Sequence, residues 1–343
     1  PWPAGDTNML YSSPQWVWQR LQSNEEFRVL AGDHIHRHFF NGGVLTHEAC
    51  SNRFMLRKNE IDRAVVGESA RWGDSKRAVP LTRNNEWVNE INNVLANYIS
   101  ARSTIVLNQL SADGLYPTVV APLFNQHGGN VTNGFGLVIS APAGIIYYTV
   151  DNTDPRLLGG SISPGAMTYT NTVILTESVH VKSRAYNGGV WSALNEATFI
   201  VIRTFSELFI TEIMYHPPGQ VPIDGDEYEF IELKNVSGSD MDLSGVHFTN
   251  GISFTFPIGT HLGSAQFVVL VSNPVEFTNK YPGVTVGGVY GGRLSNSGEK
   301  ISLVHATGTS IFEVVYGEST PWPLTADGQG FSIVPVSADL NPD

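Results

Sequence analysis

Cysteine is almost absent from this chain of 343 residues: Cys50 stands alone, so no internal disulfide can form. Its place in the apolar-periodic segment Thr46 to Glu68 reads as a small buried hydrophobe. Charge is also sparse, at 15% of residues against 41% hydrophobic, a balance that excludes a disordered polymer. Basic charge is scarcer still. Lys+Arg 20 against Asp+Glu 32 leaves a net −12, without the basic footprint of a nucleic-acid binder. No run approaches the roughly 20 apolar residues of a membrane span, and Pro1-Trp2-Pro3-Ala4-Gly5 lacks the basic and apolar regions of an export signal. A Gly-x-Ser-x-Gly elbow, a Walker loop and a dinucleotide fingerprint are missing too, and Gly134-Phe135-Gly136 lacks the third glycine. The sequence names no catalytic and no cofactor-binding residue.

What is present divides near residue 112. Residues 1–112 carry 12 basic and 11 acidic residues and 6 of the 34 glycines, whereas 113–343 carry 8 basic, 21 acidic and the other 28 glycines. The first part has helical spacing. Ser13-Pro14 opens a short helix through Trp16, Val17 and Leu21, and Asn24 caps a second whose apolar face is Phe27, Leu30, Ala31, Ile35 and Phe39, ending at Asn41-Gly42-Gly43. His34 and His38 border that face and read as satisfied interior histidines. Thr46 caps a third helix to about Gly67, and Trp87, Ile91, Val94, Leu95, Tyr98, Ile99 and Val106 define a long fourth.

From Tyr116 the period becomes that of strands, broken by Gly-Gly, Asn-Gly and Pro turns. Leu137 to Ser140, Ile145 to Val150, Val179 to Ala185 and Thr198 to Ile202 form one series. Leu208 to Met214, Glu229 to Asn235, Phe267 to Ser272, Lys300 to Val304 and Ile311 to Tyr316 form a second. The fold class expected is multidomain: a small all-α segment followed by two all-β sandwiches.

Two constellations could bind ligands. Asp224, Asp226 and Glu227 supply oxygens to a candidate calcium site, since Ca²⁺ takes roughly 6–8 of them. Strand alternation, though, puts Glu229, Ile231 and Leu233 on one face and Tyr228, Phe230 and Glu232 on the other, so the carboxylates of this run do not all converge. Tyr148, Tyr186 and Trp191 are the candidate stacking platform for sugars. Tyr147 and Tyr148 must point to opposite faces of their strand.

Three resemblances give the parts identities. Ile210-Thr211-Glu212-Ile213-Met214-Tyr215-His216-Pro217, Glu229-Phe230-Ile231-Glu232-Leu233, Leu294-Ser295-Asn296-Ser297-Gly298-Glu299 and Pro321-Trp322-Pro323 make residues 205–343 similar to the lamin-tail domain, which implies an immunoglobulin-like sandwich without a known active site. Ile146-Tyr147-Tyr148-Thr149-Val150-Asp151-Asn152-Thr153-Asp154-Pro155-Arg156 and Val181-Lys182-Ser183-Arg184-Ala185 make 115–203 resemble the C-terminal sandwich of chitobiase-like enzymes, with Asn152 in place of the turn glycine. Phe39-Phe40-Asn41-Gly42-Gly43 and Ala70-Arg71-Trp72-Gly73-Asp74 make 1–112 similar to the helical tail of the CotH-like (spore-coat-protein-H) kinase family. That last resemblance implies that the nucleotide-binding and catalytic segments precede this tail in the same polypeptide.

The expected function is a non-catalytic binding, adhesion or spacer region of a secreted or envelope-associated bacterial protein. Its partner would be a polysaccharide or cell-surface component, without nucleic acid and without a membrane span. The alternative is part of an enzyme, either a CotH-like kinase without its catalytic core here or a carbohydrate-active enzyme.

Overall fold

The computed structural model describes residues 14–336, so the capping Ser13 and the opening Pro1–Gly5 lie outside the described residues. Contacts divide the described residues into two compact units, one of residues 14–127, 137–172 and 181–197 and the other of 128–136, 173–180 and 198–336. The stretch between the helices and the last β series contributes to both.

Helices open the first unit: α1 (Pro14–Leu21), α2 (Glu25–Phe39), α3 (His47–Trp72), and a continuous run, α4, made of Arg83–Trp87, Val88–Asn93, Val94–Ile99 and Ser100–Ala112. Local chemistry sets their starts. Asn24 Oδ1 accepts the Phe27 N–H at 3.0 Å, and Thr46 Oγ1 accepts that of Ala49 at 3.3 Å. α3 runs on past Gly67 to Trp72, because one glycine weakens a helix without ending it. α4 begins earlier than Trp87, where Thr82 Oγ1 accepts the Asn85 N–H at 3.2 Å, and its Arg83–Trp87 and Val94–Ile99 turns are π-helical.

Burial in these helices is thin. α1 and α3 hold no buried residue, α4 buries only Ile99, and α2 buries Gly32, Ile35 and His36. The inner face of α2 is therefore rotated from the expected one. Leu30 is 54% exposed and His34 is exposed, while His36 goes inward. Gly32 explains the rotation, since a Cβ there would meet Pro117 Cδ at 3.1 Å and the Leu115 carbonyl oxygen at 3.4 Å. Without a side chain α2 can approach that segment closely. Cys50, expected in a core, is half-buried beside a cavity of about 300 Å³ lined by Phe39, Leu45, Tyr98 and Ile99.

In the β part of this unit, Ile145–Thr149 pairs antiparallel with Met167–Thr168 on one side and with Val179–Asn187 on the other, and the latter hairpins into Val190–Trp191. The register Ile145↔Tyr186, Ile146↔Ala185, Tyr147↔Arg184, Tyr148↔Ser183 decides which side chains share a face. Asn152 takes the left-handed conformation at φ 64° that the turn requires.

The second unit is a sandwich. One sheet runs Leu208–Met214, Phe230–Asn235 and Phe267–Val271 antiparallel, with Val286–Val289 added parallel at its edge. The other joins His247–Asn250, Gly298–Val304 and Ser310–Gly317. Ile231, Leu233 and Leu270 from the first sheet and Ile301, Leu303 and Phe312 from the second enter one buried cluster, each such side chain contributing about 1.5–3 kcal/mol. The first sheet is covered on its other face as well, where Met214, Phe230, Val269 and Val271 pack on Phe277 of a short helix, α5 (Pro274–Lys280). The strand expected from Glu229 begins at Phe230, because Gly225–Tyr228 forms a 3₁₀ turn ahead of it. Among the described residues no helix is long and apolar enough to cross a membrane.

Candidate functional site

Within the first unit, five charged side chains gather where α2 meets the β part. Arg184, 1% exposed, makes paired hydrogen bonds to Asp33 of α2 (2.8 and 2.7 Å) and to Asp154 (2.7 and 2.6 Å), and also donates to the Ser192 carbonyl at 2.9 Å. Arg156 holds Glu26 of α2 in the same two-pronged way at 2.7 and 2.8 Å. Burial works against the Arg184 charge, but Asp154 and Asp33 outweigh it and raise its pKa. Arg156 and the Gly159 N–H hold the Glu26 carboxyl down at about 2. These are charge-assisted bonds, each arginine presenting its fork to a carboxylate. Asp154, Arg156 and Arg184 thus seat a helix.

Beside this network lies an open groove of about 610 Å³. Arg156 and Arg184 form part of its lining and Phe27, Leu30, Leu157 and Leu158 its apolar part, with Leu158 84% exposed. A smaller pocket of about 220 Å³ is lined by Arg28, Val29, Pro117, Arg156 and Trp191.

The expected sugar platform does not assemble as named. Tyr186 and Trp191 do meet, with ring centroids 4.8 Å apart, but their third member is Tyr147, 5.6 Å from Trp191. Tyr148 faces the other side of the sheet and packs edge-on against Tyr169. Period-two alternation forces this separation, because Tyr147 lies across from Arg184 and Tyr148 across from Ser183. Trp191 is 9% exposed and its indole N–H donates to the Gly160 carbonyl at 2.7 Å, so its ring is largely covered.

The acidic run of the second unit serves the fold. Asp224 Oδ1 accepts the Asp226 N–H at 3.2 Å and starts the 3₁₀ turn. Glu227 is committed on both oxygens, to Arg293 at 2.5 Å and to the Asn273 amide at 2.7 Å. Glu229 points into the core with Ile231 and Leu233, as alternation requires. Its Oε2 accepts the Leu294 N–H at 3.0 Å and the Tyr290 O–H at 3.2 Å, while Oε1 is buried without a partner. Burial pushes the Glu229 pKa up to about 8, the Leu294 N–H opposes this, and Asp226 adds to it. Among the described residues no group of three His, Cys, Asp or Glu is placed to hold a metal ion.

Two further carboxylates of the second unit act similarly. Glu299 Oε1 accepts the Ser295 N–H at 2.7 Å, so Glu229 and Glu299 together clamp the Leu294–Ser297 loop from two sides. Asp242 accepts the N–H groups of Ser244 and Ser178, both at 2.9 Å. In this unit His216 meets Asp327 at 2.5 Å beside a cleft of about 500 Å³ lined in part by Pro217, Pro222, Asp224 and Asn296.

Two sheets enclosing one core, with the motif loops tied by buried carboxylates, define an immunoglobulin-like β-sandwich. Residues 203–318 match the model of the Lamin Tail Domain family. No curated protein matches the chain in sequence. Among solved structures, a DUF4876 family protein from Bacteroides thetaiotaomicron is similar over 56% of this chain and 76% of that one, at 12% identity and a TM-score of 0.25, a likeness that carries no argument.

Proposed function

We propose that this chain is a non-catalytic binding and spacing region of a secreted or envelope-associated bacterial protein, attached to a polysaccharide or another cell-surface component. The observation that supports this best is the fate of the motif carboxylates. Asp154, Glu229, Asp242 and Glu299, which a catalytic reading would use first, are each bonded to a guanidinium or to backbone N–H groups that fix a loop. The groove of about 610 Å³ beside α2, with its exposed leucines over fixed charges, is the place where a ligand would be held. The CotH-like resemblance of the helical part adds an upstream catalytic region of the same polypeptide to the proposal.

The test is retention of the intact chain on insoluble polysaccharides and envelope preparations. Leu158→Asp should weaken retention, Tyr186→Ala should weaken it less, and Ca²⁺ should leave it unchanged because Glu227 is already engaged by Arg293 and Asn273. Soluble sugar released by the wild-type chain, or retention indifferent to Leu158→Asp, would overturn the reading.

A further inference from the structure

His36 is the one histidine that α2 carries inward. It is 3% exposed and belongs to a three-ring cluster of the same unit, with ring centroids 4.6 Å from Phe40 and 6.3 Å from Tyr116, themselves 5.9 Å apart. Its Nδ1 lies 2.9 Å from the Tyr116 hydroxyl, whereas Nε2 is buried with no hydrogen-bond partner. A neutral ring tolerates this site. A protonated ring carries an N–H on both nitrogens, and its buried Nε2 donor would lack a well-formed hydrogen bond at the centre of a cluster of aromatic rings.

The groups around it offer the cation little help. On α2 the nearest charged residues, Asp33 and Arg37, are occupied, the first by Arg184 and the second by Glu196. From the segment after the helices comes Tyr116, whose hydroxyl burial pushes up to about 12, so it supplies no charge. His127 is a second imidazole, held at 3.0 Å to the Asn195 side-chain oxygen, which also receives the Asn41 amide at 3.0 Å. Like charge on His127 disfavours the His36 cation further.

We propose that His36 is an acid-sensitive latch for α2: protonation favours the state in which this helix has left its seat on the β part, so that acidification loosens the helix. Burial, reinforced by His127 and only partly offset by the Asn195 side-chain oxygen, lowers the seated His36 pKa from 6.5 to about 4. A depressed histidine pKa favours the neutral, seated form at high pH. The seated state loses ground as pH falls below 6.5, and the loss levels off near 4. With those two values, going from pH 7.5 to pH 5 shifts the equilibrium toward release by about 30-fold. Protonation of Glu26, whose pKa is about 2 when held by Arg156, would extend the loosening to still lower pH.

Amide hydrogen exchange on the intact chain, corrected for the intrinsic pH dependence of exchange, reads this directly. Protection over Glu25–Phe39 should fall about 30-fold between pH 7.5 and pH 5, while protection in the strand Phe230–Asn235 does not fall with it. In His36→Gln the α2 response should flatten, and in His127→Gln most of it should survive. Equal loosening in wild type and His36→Gln, or unchanged α2 protection in wild type, would overturn the proposal. Should His36→Gln fail to fold, the imidazole resonances of the wild-type chain decide: a His36 that titrates near 6.5 in the folded protein refutes the latch, and one still neutral at pH 5 upholds it.

Discussion

α3 extends from His47 to Trp72 without burying a residue, whereas the strand Phe230–Asn235 buries Phe230, Ile231, Leu233 and Asn235 within six. The helix is longer and contributes less to any core. It is held by ion pairs, Lys58 and Arg83 on Asp62 at 2.9 and 2.7 Å, and the helical stretch is seated on the β part through α2 and its arginine partners. The strand sits in the middle of a sheet covered on both faces. The helices of the first unit are thus held at a few charged points, and the sandwich over a continuous apolar interior. The two should fail differently.

The largest difference should come from removing a charged point. Arg184→Ala leaves Asp33 and Asp154 facing each other, partly buried and without their cation, which is expected to destabilise the first unit by about 3–5 kcal/mol. Urea unfolding followed by a probe in each unit would check this. If the second unit lost as much, the Arg184 bonds would not be local to the first unit. Leu233→Ala is the matching change in the second unit, where a cavity in the core should cost about 2–5 kcal/mol. A loss below about 1 kcal/mol there would mean that the sandwich interior is not closely packed.

pH separates the units by sign. Glu229 has its pKa raised to about 8 by burial, so the folded second unit holds a proton that the unfolded chain releases above about 4.5. Its contribution is therefore most favourable in acid and is lost as pH rises from 4.5 through 8. That loss should amount to roughly 2–3 kcal/mol between pH 5 and pH 7. His36 gives the first unit the opposite slope. Chemical denaturation at several pH values should show the second unit strengthened and the first weakened on acidification, and Glu229→Gln should flatten only the former. A second unit that weakens toward pH 5 would contradict the assignment of Glu229 as a buried, proton-bearing acid.

Sequence patterns anticipated these contrasts unevenly. Alternation puts Glu229 on one face with Ile231 and Leu233, which the structure shows to be the inner one, and capping chemistry places the starts of α2 and α3, because both rules act within a few residues. The rotation of α2 was not legible, since it depends on Gly32 lying against Pro117 and on Asp33 reaching Arg184, contacts made across large sequence separations. His36 was missed for the same reason: the neighbouring apolar spacing favoured His34 and His38, and only the partners Tyr116 and His127 show which ring is inside. The aromatic set failed on register. Tyr148 was grouped with Tyr186 and Trp191, although period two alone separates it from Tyr147, and the cross-strand pairing was needed to show which tyrosine joins Trp191.

The smallest expected effect tests the exposed side of the comparison. Leu56 lies on α3 at 63% exposure, with Arg57 beside it paired to Glu60 at 2.6 Å across solvent. Exposed ion pairs of this kind are worth about 0–1 kcal/mol, so neither they nor Leu56 should determine whether α3 forms. Leu56→Ser removes apolar surface that water already reaches and exchanges a good helix former for a slightly poorer one, so its effect should stay within about 0.5 kcal/mol. Thermal unfolding of the intact chain with Leu56→Ser beside Leu233→Ala makes the comparison under one condition. Equal losses from the two would mean that the outer face of α3 is covered in solution, and the contrast between a helix held at points and a sheet held by its interior would then fail.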